Sequence, residues 1–141
     1  MATTTATITL ASSDLTDNAL SISNTATLYT AGTDTGITET TGLARLKTST
    51  GSNTILLDFG LTSGVAADVT ADKSAKVYIK NINDRGDGTK YVDILIKTRE
   101  IGRLYGGDWM FIPWSGGSGE DIEYTASDTT ETTLEYCVFY E

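Results

Sequence analysis

Apolar residues fall at every second position through most of this chain, and strict alternation over four to eight residues marks a strand with one buried face. Thr5–Leu10 sets Ala6, Ile8 and Leu10 on one side, between small polar residues. Ala19–Tyr29 does the same with Leu20, Ile22, Ala26 and Leu28. Leu43–Thr48 and Thr54–Phe59 are separated by Ser, Thr and Gly, which predicts a hairpin. Ser74–Asn81 points Val77 and Ile79 inward and Lys76, Tyr78 and Lys80 outward. Lys90–Thr98 matches it, with Val92, Ile94 and Ile96 inward and Asp93 and Lys97 outward. The turn formers of Ile82–Thr89 lie between these two and read as a long hairpin turn. Trp109–Trp114, Ile122–Tyr124 and Thr133–Tyr140 complete the set.

About nine short strands with turn signals every 8–12 residues predict an all-β sandwich or barrel. Val65–Lys73 is the best helical stretch, and it reads as no more than a turn. Thr30–Thr41 is low in complexity and reads as a surface loop or twisted edge. With 141 residues and no internal repeat or linker, the expectation is one domain over 1–141. Threonine, roughly one residue in five, suits a pleated and half-wet surface.

Trp109–Trp114 departs from simple alternation. Trp109, Phe111 and Pro113 share one face, and Met110, Ile112 and Trp114 share the other, so both faces are apolar. Either the strand is buried on both sides or one side meets another chain. Pro113 lacks the amide proton a ladder needs, which puts the strand at an edge or a bulge. This strand and the N-terminal one supply the candidate interface residues: Thr5, Thr7, Ile8, Trp109, Phe111 and Trp114.

The net charge of −9 is unevenly spread. Residues 1–44 carry only Asp14, Asp17, Asp34 and Glu39, and no base follows Arg103. A phosphate backbone calls for the opposite sign, so nucleic acid is not an expected partner. No stretch approaches the apolar length that spans a bilayer, so no membrane partner is expected either. The N-terminus MATTTATITLASS has neither a basic n-region nor a long apolar h-region, so no signal peptide is expected. The single cysteine, Cys137, sits in an alternating strand and reads as a buried structural thiol.

Catalytic chemistry finds little support in the residues. Histidine is absent, which removes Ser-His-Asp and Cys-His arrangements and His-ligated metals. Glu120, Asp121 and Glu123 form the one carboxylate group near a glycine-rich loop, where solvated acids are ordinary. The run Asn81–Gly88 offers oxygen ligands for calcium but lacks the full spacing and the distal Glu, and a plain turn explains it better. Its Arg85-Gly86-Asp87 tripeptide has no extracellular context to give it meaning. The glycine cluster Ser115–Gly119 lacks the lysine and following helix of a phosphate loop and reads as a loop between two strands. The expectation is a non-enzymatic protein with no cofactor and no metal.

From Lys76 onward the chain resembles small virion proteins of tailed bacteriophages, of the marine and cyanophage type. The resemblance rests on VYIKN, the KYVDILIK strand, IGRLYGGDWMFIPW, a Gly/Asp loop and the closing LEYCVFYE. It implies a single-domain antiparallel β-sandwich, jelly-roll-like, that decorates the capsid or builds part of the tail, commonly as a homotrimer. The expected partner is the major capsid protein or another virion protein, and the expected location is the virion. A tail, neck or fibre component is the second reading, and a host-glycan or receptor-binding module using Trp109 and Trp114 is the third.

Overall fold

The computed structural model describes residues 3–15, 17–48, 53–58, 65–66, 75–86, 88–116, 119–127 and 132–141, with only the backbone at 65–66. Among them are twelve strands and no helix: β1 (Thr5–Ser12), β2 (Leu20–Thr27), β3 (Glu39–Thr40), β4 (Ala44–Thr48), β5 (Thr54–Asp58), β6 (Val65–Ala66), β7 (Ala75–Asn81), β8 (Val92–Ile96), β9 (Arg99–Leu104), β10 (Trp109–Trp114), β11 (Ile122–Ala126) and β12 (Thr132–Tyr140). The chain is all-β, as its alternation predicts. Three strands exceed the expected nine. Of these, β3 and β6 are two-residue pieces with too little sequence to show a period, and β9 has a bulge opposite Ile94/Leu95 that breaks its own.

Eight strands form nested antiparallel pairs: β4 with β12, β5 with β11, β7 with β10 and β8 with β9. β12 also pairs with β7, and β11 with β8, which rolls the nested ribbon into two facing sheets. One runs β10-β7-β12-β4 and the other β9-β8-β11-β5, with β3 continuing the β12 edge and β6 parallel to β5. First strand with last, second with second-last, is the connectivity of a jelly roll, two Greek keys closed into a sandwich.

Two expected hairpins are not hairpins. β4 and β5 lie in opposite sheets, as do β7 and β8, so the chain crosses between the sheets after β4 and again, as an arch, after β7. Residues 49–52 of the first of these turns lie outside the described residues, and turn residues do not say which way the next strand goes. The core decides it, because both partners must turn an apolar face to the middle. Of the Val65–Lys73 stretch, Val65–Ala66 are strand and the rest lies outside the described residues.

The core is what the alternation predicts. Ala75, Val77 and Ile79 of β7 meet Leu134, Tyr136 and Val138 of β12 on one wall. Leu56 and Leu57 of β5, Val92 and Ile94 of β8, and Ile122 and Tyr124 of β11 form the other. One polar side chain joins them. Asn81 is fully buried and donates Nδ2 to the carbonyls of Leu104 (3.0 Å) and Lys90 (3.3 Å). Its Oδ1 accepts from the amide of Asn83 (3.1 Å) and from its side chain (2.6 Å). These bonds tie Asn83 at the start of the arch to Lys90 and to the end of β9, and the Asn81 backbone bonds the 105–108 turn through the Asp108 carbonyl (3.0 Å) and the Gly107 amide (2.8 Å); a buried amide with both ends satisfied is structural.

Candidate interaction surface

β1 and β2 belong to neither sheet. They form a separate antiparallel hairpin, in register from Thr5↔Thr27 to Ser12↔Leu20, and their extensive contacts are only with each other. Period 2 sorts this arm into two unlike faces. Thr5, Thr7 and Thr9 oppose Thr27, Thr25 and Ser23, with hydroxyl contacts Thr7–Thr25 (2.9 Å) and Thr9–Ser23 (3.4 Å). Ala6, Ile8, Leu10, Leu20, Ile22 and Ala26 share the other face with two polar residues, Ser12 and Asn24. Leu10 stands directly opposite Ile22, and they are 53% and 49% exposed.

The arm is fixed to the body at its base. The Leu28 amide donates to the Thr4 carbonyl (2.9 Å), and the Ile37 amide to the Leu28 carbonyl (3.0 Å). Leu28 and Ile37 are both buried, and Tyr29 bridges Gly36. The segment 30–41, expected as a surface loop or twisted edge, therefore holds the arm's root and supplies the edge strand β3.

Beneath the base lies the outer face of the β10-β7-β12 sheet. The parity that sends Val77, Ile79 and Trp114 inward sends Tyr78, Lys80, Trp109, Phe111, Cys137 and Phe139 outward. Two clefts open between this face and the arm. One, of about 320 Å³, is lined by Ala6, Thr7, Ile8, Tyr78, Lys80, Trp109 and Phe111. The other, of about 390 Å³ and mostly apolar, runs from Thr4, Thr5 and Ala6 past Leu28 and Leu43 to Cys137 and Phe139. Ala6, Tyr78 and Phe111 line both, so the clefts form one groove. Burial raises the Tyr78 phenol above its ordinary value, and the neighbouring Glu135 raises it further, so the groove keeps a neutral hydroxyl at pH 7. Burial lowers the Lys76 ammonium, partly offset by Glu141.

Five of the six candidate interface residues meet at this groove: Thr5, Thr7, Ile8, Trp109 and Phe111. Trp114 does not. It has the inward parity of β10, is only 4% exposed, and donates its indole Nε1–H to the Glu120 carbonyl (2.7 Å). A two-faced apolar strand left both sides open in the sequence; the core takes the Trp114 side and the groove takes the other. What sequence reasoning missed is that β1–β2 stands clear of the sandwich. The signal was present, since neither strand contains an aromatic residue and each brings only two large aliphatics.

Other polar clusters serve the fold. Arg103 makes a two-pronged pair with Asp93 (2.6 and 3.0 Å) and stacks over Tyr91 at 3.9 Å. Hydrogen bonds to Asp93 and Tyr105 hold this guanidinium firmly charged. In the calcium-like run, Asp84 caps the Gly86 amide (3.1 Å) and Arg85 pairs with Asp108, while Asp87 lies outside the described residues. Among the described residues no three His, Cys, Asp or Glu side chains are grouped to hold a metal. Glu120, the first of the three candidate carboxylates, accepts from the Ser115 hydroxyl (2.5 Å). Cys137 is free and buried, with Sγ 3.3 Å from the Thr40 hydroxyl. No protein-family model matches the chain, and no curated protein or solved structure matches it.

Proposed function

We propose that this chain is a non-enzymatic structural component of a tailed-bacteriophage particle, a capsid decoration (cement) protein that grips the major capsid protein shell and braces it. The observation that carries this reading is the groove. An aromatic sheet face (Trp109, Phe111, Tyr78, Phe139) is roofed by the uncharged base of the β-arm, and half of Trp109 is left bare. A half-exposed tryptophan in an apolar groove with a polar rim is the anatomy of a protein contact. The acidic body keeps many copies soluble before assembly, and the resemblance of Lys76–Glu141 to small virion proteins supplies the context.

Co-sedimentation with empty capsids tests the proposal. Wild type binds shells in high copy number, and Trp109→Ala lowers occupancy while the free protein stays folded. Failure of wild type to sediment with shells overturns the decoration reading. Binding in only a few copies per particle supports the tail, neck or fibre reading instead. The bare face of Trp109 beside Tyr78 and Lys80 also suits a sugar ring, so host-glycan binding is the second reading. It predicts quenching or shifting of Trp109 emission by oligosaccharides without any shell present.

A further inference from the structure

The face that seals the groove at the root of the arm runs on, bare, to its tip. On this face Leu28 is buried at the root and Ala6 half-buried, whereas Leu10 is 53% and Ile22 49% exposed. Six of the eight residues of β1 and seven of the eight of β2 are exposed. Among the described residues neither strand pairs with a third. An isolated two-stranded hairpin is marginal in water, and an unpaired strand edge is a template for another strand.

We infer that two copies of this chain join arm to arm, the free edge of β2 pairing antiparallel with the β2 edge of a second copy to make a four-stranded sheet whose one face is mainly aliphatic, broken by Asn24. Charge selects this occupant. The whole chain carries −9, and all of its acids but Asp14 and Asp17 lie outside the arm, so like copies repel wherever acids face acids, yet β1 and β2 contain no charged residue. The arm is the stretch where two copies can touch without that cost. Charge also selects the direction. Asp14 and Asp17 sit at the tip, and a parallel pairing would set four carboxylates side by side. An antiparallel two-fold pairing separates the two tips by about 25 Å, well beyond a Debye length of about 8 Å. Period 2 selects the register, since pairing Ile22 with Ile22, or with Asn24, keeps both aliphatic faces on the same side. The contact is isologous and closes on itself. β2 is the available edge because β1, not β2, lines the groove. This association is independent of whether copies decorate a shell.

Sedimentation equilibrium on the full chain tests it, without capsids. Wild type is a reversible dimer that tightens as salt is added, because salt screens the repulsion between bodies and removes nothing from an uncharged contact. Ile22→Asp weakens dimerisation roughly ten- to a hundredfold, while Thr98→Asp, the same charge change on the far sheet, does not. Ile22→Ser, which removes the aliphatic group without adding charge, weakens it in the same direction and guards against a misfolded Asp variant. Three results overturn the inference: a wild type that stays monomeric at every concentration, dimers of Ile22→Asp and Ile22→Ser as tight as wild type, or an association that salt dissolves.

Discussion

Two tryptophans on one six-residue strand have opposite environments, and replacing each in turn reads out the groove against the core. Trp114 is 4% exposed, packs in the main core and donates to the Glu120 carbonyl. Truncating a buried tryptophan to alanine costs about 3–5 kcal/mol, and leaving the Glu120 carbonyl without its donor adds about 1 kcal/mol. A domain of this size has about 5–15 kcal/mol in total. Trp114→Ala therefore takes a large share of the stability, lowering the melting temperature by roughly 10–20 °C. Trp109 is half exposed and projects from the edge strand, so Trp109→Ala costs about 1 kcal/mol or less.

The assay is urea unfolding followed by tryptophan emission, because each substitution leaves the other indole as sole reporter. In Trp109→Ala the remaining Trp114 emits to the blue and reports a near wild-type midpoint. In Trp114→Phe, a milder version of the core lesion, the remaining Trp109 emits to the red and reports a reduced midpoint. Equal losses at the two positions would refute the separation of faces on which the groove rests. So would a blue-emitting Trp109, since it would mean the arm covers that ring fully.

Three more outcomes follow from particular geometries. A Cβ at Gly106 would overlap the Asp84 carbonyl and lie 2.8 Å from the Asn83 carbonyl oxygen, so Gly106→Ala pushes the 82–88 arch off the 105–108 turn. Its cost is about 1–3 kcal/mol in chemical denaturation. The β8–β9 turn holds Lys97 and Thr98 at φ of 51° and 65°, which suits Asn-Gly far better than a β-branched residue. Lys97→Asn with Thr98→Gly stabilises the protein by about 1 kcal/mol, read as a higher urea midpoint at unchanged slope. Burial raises the phenols of Tyr78 and Tyr136 above 10.0, so they add stability below pH 10 that is lost as pH climbs through their folded values. Lys76, lowered by burial, acts in the opposite sense up to 10.5. Unfolding midpoints therefore fall on alkaline titration, and Tyr136→Phe flattens that fall.

Most of the sandwich was legible in the sequence because period 2 is a local signal. Val77, Ile79, Val92 and Ile94 were assigned inward by alternation, and all four are fully buried. The topology was not legible in the same way. Ser-Thr-Gly turn chemistry marks where the chain bends, and it looks alike in a hairpin and in an arch between sheets. β4 therefore seemed to pair with β5, when its partner is β12, some ninety residues further on in Arg45↔Glu135. Non-local pairing of this kind is set by which apolar faces can close on one another, and no short window contains that.

The candidate surface divides along the same line. Trp109 and Phe111 could be placed on one face of β10 by parity, and the groove lies on that face. Which face met the core depended on β7, whose inward Val77 stands beside Ile112 in the ladder. Once that pairing is fixed, Trp114 must be core and Trp109 must not. The arm follows a further rule. Its Thr/Ser face and its thin aliphatic stripe would suit an outer strand of the sandwich equally well, but among the described residues the core cluster is built from β4, β5 and β7–β12 and takes in neither β1 nor β2. Outside that core, β1–β2 keeps its stripe exposed. A hairpin that holds Leu10 and Ile22 bare, without one charge along either strand, is the surface that the proposed arm-to-arm pairing would use.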